Sequence, residues 1–173
     1  MDAGSAKTLN RFPAGPEPNT AGAARYRPMN AAWSPDGTRF YVTMAGTSEV
    51  RAFSRSGDPE GSVGVGQGPA QIAGSADGRL LVVANRRGGS VSVLDPATLT
   101  EVRRIPLSGA AFPHGVVIDP AGEIAYVTWE GRVDEPGGAA ALDIGSGEVL
   151  WRREVGVLTL GVAYLGAPAT DGS

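Results

Sequence analysis

The chain contains no cysteine, which excludes disulfide bonds, thiolate-held zinc, iron–sulfur clusters, thioether-attached haem and a thiol nucleophile. It has one histidine, His114, so a multi-histidine metal site is excluded and any imidazole chemistry falls on that side chain. Excess positive charge is also missing: 15 Lys and Arg stand against 18 Asp and Glu, a net charge of −3. Without a basic field to hold a phosphate backbone, nucleic-acid binding is not expected. No run approaches the roughly 18 apolar residues of a membrane span. The opening residues also lack the apolar core of a secretory signal, so the literal reading is a cytoplasmic chain. Finally, no stretch of ten or more residues carries apolar positions at a 3.6 period, because Gly and Pro interrupt every candidate helix.

What the chain has is turns. It holds 26 glycines and 13 prolines in 173 residues, close to double the average usage of roughly 12%. Spread along a chain that is 42% hydrophobic, they indicate many short strands around a real core. Residues 68–95 show the unit: an apolar start, an Asp77-Gly78 turn, the run Leu80-Leu81-Val82-Val83, a Gly-rich loop and the alternating Val91-Ser92-Val93-Leu94. Asp-Gly between apolar runs predicts a tight hairpin with both central residues at φ > 0, and the whole reads as an antiparallel meander.

The unit recurs from Pro28, Pro69 and Pro113. Ser34, Ser75 and Asp119 precede the turn, and Gly37, Gly78 and Gly122 close it. The strand Tyr41-Val42-Thr43-Met44 matches Val82-Val83-Ala84-Asn85 and Tyr126-Val127-Thr128-Trp129. A period of about 40–45 residues with four short strands is that of a propeller blade. The expected fold is therefore all-β, a β-propeller segment of about three complete four-stranded blades with partial blades at both ends. Residues 28–68, 69–112 and 113–156 are the blades. Residues 1–27 carry the outer strand of a preceding blade (Lys7 to Pro13 resembles Leu99 to Pro106) and a loop insertion, and residues 157–173 begin a next blade and trail off polar. Propellers usually close with four to eight blades. Three blades must therefore be part of a larger ring, join into a homo-oligomeric ring, or close a small ring with a hybrid blade.

The strand motif, here YVTM, VVAN and YVTW, with SPDG before the first of them and VSVLD after the second, resembles the YVTN-type β-propeller family over roughly residues 29–156. The resemblance implies about seven blades and an exported, periplasmic or surface-layer, location; this chain has half the blades and no signal peptide. It also looks like the seven-bladed lactonase relatives, which hydrolyse a sugar lactone, and more distantly the haem-d1-type propellers.

Function in such a scaffold belongs to loops at one end of the channel, since blade bodies are packed. The loops before each first strand contain His114, at a position held elsewhere by Met29 and Ala70, and those after each second strand contain Asn85, Arg86, Arg87, Glu130 and Arg132. His114 suits a general base or ligand, yet no acidic residue lies near it in sequence. Glu130, Asp134 and Glu135 fit no calcium-loop spacing and read as a solvated, mobile insertion. Trp129 ends its strand beside that insertion, where an aromatic ring offers stacking; Trp33 and Trp151 read as packing. Asp36 and Asp77 read as turn residues rather than paired catalytic carboxylates. Gly64, Gly66 and Gly68 are followed by Pro69 and a strand, not by the helix a phosphate loop requires. No nucleophile elbow occurs. The residues point to a non-catalytic binding module with no cofactor, taking a protein or small-molecule ligand at His114, Trp129, Arg86, Arg87, Asn85, Glu130 and Arg132. The alternatives are a lactone hydrolase centred on His114 and a haem-associated electron-transfer propeller.

Overall fold

The computed structural model describes residues 26–164; the expected outer strand at Lys7 to Pro13 lies outside them. Twelve strands form three antiparallel four-stranded sheets. The first holds β1 (Pro28–Trp33), β2 (Arg39–Met44), β3 (Glu49–Ser54) and β4 (Pro59–Gly64) in chain order. The second holds β5 (Pro69–Gly74), β6 (Leu81–Asn85), β7 (Ser90–Asp95) and β8 (Thr100–Pro106). The third holds β9 (Pro113–Ile118), β10 (Ile124–Trp129), β11 (Gly137–Asp143) and β12 (Val149–Gly156). The first strands β1, β5 and β9 lie side by side, whereas the fourth strands barely meet. The sheets therefore fan outward as blades.

Period-2 alternation explains the stacking, because each strand sends successive side chains to opposite faces. In β6, Leu81 and Val83 join Tyr41, Val50 and Ala52 of the first blade. Their neighbours Val82 and Ala84 join Val116, Ala125, Val127 and Leu142 of the third. Every residue of β6 is buried. Each fully buried Val or Leu contributes about 1.5–3 kcal/mol, so the two blade–blade layers are the principal stabilising feature.

Polar bridges pin the first strands together. The Thr43 hydroxyl accepts from Asn30 N–H at 3.1 Å and donates to the Ala70 carbonyl of the next blade at 2.7 Å. Thr128 repeats this, accepting from Gly115 N–H at 3.1 Å. Ala84 occupies that position in the middle blade and has no hydroxyl. There the Gln71 side-chain oxygen crosses instead, accepting from Val116 N–H at 3.2 Å.

The expected tight hairpin is longer than the sequence suggests. In each blade the residue before the turn (Ser34, Ser75, Asp119) accepts the N–H of the closing glycine, and only that glycine has positive φ, at +66°, +74° and +77°. Asp36 and Asp77 are not left-handed; a type I turn followed by a left-handed glycine bridges the strands. Their carboxylates accept from the preceding serine hydroxyl, Ser34 to Asp36 at 2.6 Å and Ser75 to Asp77 at 2.7 Å. These bonds, then the backbone N–H of Thr38 and Arg79, hold both aspartates below the ordinary value of 3.8. Asp95 and Asp143 are lowered likewise by turn hydrogen bonds, from Ala97 N–H and Ser146 N–H first.

A carboxylate depressed on folding stabilises the native state above its unfolded pKa and loses that contribution as pH falls through the folded value. Urea midpoints are expected to be flat from pH 7 to about 5 and to drop below the ordinary aspartate value of 3.8. Asp77→Asn should flatten part of that drop, and an equal drop in the variant would remove Asp77 from the explanation.

Candidate functional site

Each first strand begins with proline, and the residue before it is left-handed: Arg27 at φ +50°, Gly68 at +59° and Phe112 at +53°. This conformation aims its carbonyl at the residue that follows the blade's second strand. Ala45, Arg86 and Glu130 donate their N–H to Arg27, Gly68 and Phe112 at 3.0, 3.0 and 3.1 Å. Such a conformation costs a non-glycine residue of order 1–3 kcal/mol, and the chain tolerates it twice to build the same end of the blades.

At the junction of the second and third blades this end gathers side chains. The Arg86 guanidinium forks onto Glu130 through two bonds, at 2.7 and 2.6 Å. The Glu130 carboxylate is almost wholly buried. Arg86 holds it below its ordinary value, outweighing the opposing effect of burial, and Glu130 in turn raises the Arg86 guanidinium. The Phe112 ring lies beneath two guanidiniums, Arg86 at 4.9 Å and Arg132 at 5.2 Å from its centroid. His114 Nδ1 lies 2.8 Å from the Leu160 carbonyl, and its Nε2 lies 4.0 Å from Glu130 Oε1. A carbonyl oxygen only accepts, so Nδ1 carries a hydrogen and Nε2 is the ring nitrogen turned to Glu130.

Beyond Glu130 opens a cleft of about 590 Å³ between residues 109–111, residues 129–136 and β12. Glu130, Arg132, Glu135 and Arg152 line it. Among the described residues Arg132 makes no ion pair; its guanidinium is held by Phe112 alone. The insertion is solvated as its composition suggests, with residues 132–136 exposed and Val133 at 95%, but its two ends are tied down. Arg132 and Glu135 bridge through their backbones, Gly131 N–H donates to the Val157 carbonyl at 2.8 Å, and Glu130 is sealed by Arg86.

Of the residues singled out from sequence, His114, Arg86, Glu130 and Arg132 gather around this end, and Trp129 lines the cleft beside Glu130 and Arg132. Trp129 is 5% exposed, packed into the blade core with the Arg152 guanidinium 5.0 Å above its ring, so its face is already taken. Asn85 is fully buried, its amide nitrogen donating to Ser90 and Ser92 at 3.1 and 2.8 Å, and it faces the first blade rather than solvent. Arg87 is exposed, beside Gly68, where an added Cβ would collide with its stem. Phe112 escaped the sequence reading. The available signal was positional, since it precedes Pro113 as Gly68 precedes Pro69.

Removing Arg86 leaves Glu130 buried and uncompensated. Arg86→Ala is expected to cost roughly 2–3 kcal/mol in urea unfolding at pH 7, with the deficit narrowing as acid protonates Glu130. Glu130→Gln in the same background should recover part of it, and a deficit independent of pH would refute the charge-burial account.

No family model matches the chain, and no curated protein sequence does. Solved structures do. The chain is similar to Kuenenia stuttgartiensis hydrazine synthase at 25% identity and a TM-score of 0.73, covering 87% of this chain and 42% of that one. It is similar to the WD40 repeats of RRP9 at 12% identity and a TM-score of 0.64, over 74% of this chain and 38% of that one. For U3-55K the identity is 12% and the TM-score 0.64, over 74% of this chain and 39% of that one. The chain thus spans about two fifths of the structures it resembles, and its fold is a segment of a β-propeller.

Proposed function

We propose that this propeller segment is a binding module of the YVTN repeat type, taking a small polar ligand at the junction of its second and third blades. The carrying observation is that Arg86, Phe112, His114, Glu130 and Arg132, drawn from two blades and three loops, meet beside one cleft. Cleft size falls within the ~300–1,000 Å³ of small-molecule sites. Arg132 and Arg152 offer guanidinium donors at its wall, and Glu135 offers an acceptor. Binding is favoured over acid catalysis because Glu130 is locked as a carboxylate by Arg86 and has no proton to give. The repeat-family reading rests on the YVTM, VVAN and YVTW strands, all three of which are second strands here.

One observation favours a second reading, hydrolysis of a sugar lactone. With Nδ1 turned to the Leu160 carbonyl, His114 Nε2 is the ring nitrogen that faces the cluster, where a general base would stand, 4.0 Å from Glu130 Oε1, which Arg86 holds from the blade before.

Titration calorimetry of the chain with sugar acids, sugar lactones and small dicarboxylates separates the two. The binding reading expects a saturable ligand without turnover, weakened about tenfold, or roughly 1.4 kcal/mol, by Arg132→Ala. The hydrolase reading expects lactone turnover that vanishes in His114→Ala. A panel with neither binding nor turnover overturns both.

A further inference from the structure

We infer that the ligand of the cleft between the second and third blades carries a single carboxylate, held by guanidinium N–H donors of Arg132 and Arg152. This rests on the cleft being a site for a small polar ligand, as proposed above, and adds the charge that ligand carries. Three arginines line the cleft: Arg132, Arg152 and Arg153. Among the described residues none of them lies within ion-pair distance of a carboxylate. Exposed arginines elsewhere in the second blade do find acids, Arg79 on Asp77 at 2.6 Å and Arg104 on Glu101 at 2.7 Å. The acids of the cleft do not quench its cations. Glu130 is buried with both oxygens taken by Arg86 of the blade before. Glu135 and Glu154 line the cleft as exposed side chains, with no ion pair among the described residues. Three guanidiniums against those two solvated carboxylates leave the lining one positive charge, which one carboxylate balances.

What holds the guanidiniums also leaves their donors available. Arg132 lies 5.2 Å from the centroid of Phe112, and Arg152 lies 5.0 Å from that of Trp129. A ring attracts a cation through its π-face and consumes no N–H. Arg152 gives one nitrogen to the Ser108 carbonyl, while the Arg132 guanidinium meets only the ring. Each guanidinium carries five donors in a rigid fork that suits the two oxygens of a carboxylate. Both platforms are fixed. Trp129 is packed in the blade core, and Phe112 is set at φ +53° with its carbonyl accepting the Glu130 N–H. The hairpin that carries Arg132 is closed by its own backbone, Arg132 N–H to the Glu135 carbonyl at 2.8 Å and the reverse at 3.1 Å. Gly131 and Gly138 permit that closure, since a Cβ on the first would collide with the Glu135 oxygen and one on the second with the Trp129 ring. Phe112 is therefore a positioning residue, acting through Arg132. A hydroxyl or amide in the same place forms neutral hydrogen bonds, about half as strong as those to a carboxylate.

Gluconate and glucitol share one polyol chain and differ in the terminal carboxylate, so they serve as matched probes. Titration calorimetry of the whole chain at pH 7 and low salt should show gluconate binding at least about tenfold more tightly, with galacturonate against galactose repeating the ratio. Arg132→Gln and Arg152→Gln should each cut that ratio severalfold, and Phe112→Leu should cut it without abolishing glucitol binding. Arg103→Gln removes the same charge beyond the far end of β11, where Arg103 donates to the Gly145 and Ser146 carbonyls, and should leave the ratio unchanged. Equal affinity for acid and neutral partner overturns the inference while the small-ligand site stands; binding of none of the four overturns both. A ratio that survives Arg132→Gln and Arg152→Gln in folded variants also overturns it, because the carboxylate then sits elsewhere. The native chain's own ratio is read without any variant, so it holds as a test even where a substitution prevents folding.

Discussion

Everything in this fold depends on a sheet being unable to stand alone. The middle blade is apolar on both faces, with Leu81 and Val83 turned one way and Val82 and Ala84 the other, so neither face can be left in water without losing its transfer free energy. Stacking resolves this, and the stacking axis runs through the first strands, where hydroxyl and amide side chains cross from blade to blade. The Arg86–Glu130 cluster is a by-product of that axis, because it sits at the end of the first strands, at the junction they create.

Three of the polar contacts between blades span about one repeat. Arg86 and Glu130 are 44 residues apart, Arg152 and Ser108 are 44 apart, and Gln71 and Val116 are 45 apart. Each separation is one repeat. Arg86 and Glu130 occupy the same position in successive blades, each the residue that follows the second strand, and opposite charges at that position become an ion pair once the blades stack. A solvent-facing loop position in one blade is thereby converted into a sealed one.

The strand content, the three turns and the blade count were legible from sequence because they are local, written in glycine positions and in period-2 runs such as Val91 to Leu94. That His114 stands on a first strand and that Arg86, Glu130 and Arg132 follow second strands was legible too, since these positions follow from the repeat. Their mutual contacts were not. Nothing near His114 in the chain announces Glu130, and the fork from Arg86 arises only from the distance between blades. Trp129 and Asn85 show the opposite limit. Both end a second strand at the loop-bearing edge, but the pleat turns them inward, one beneath Arg152 and the other onto Ser90 and Ser92. The turn form was misread for a subtler reason: Asp77-Gly78 looks like the central pair of a tight turn, whereas Asp77 ends a type I turn and only Gly78, at its close, is left-handed.

Because the core layers among the described residues join only successive blades, those residues form a line of units with two couplings rather than one indivisible core. Unfolding free energy is then distributed unevenly. The middle unit is braced by both couplings, and each flanking unit by one among the described residues. Amide protons of β6 and β7 will report the global opening event, while those of β4 and β12, on the outer rim, exchange through fraying that leaves the centre intact. The Arg86–Glu130 pair spans two such units, so whatever tightens it raises the coupling between neighbours, and whatever loosens it lets them open separately.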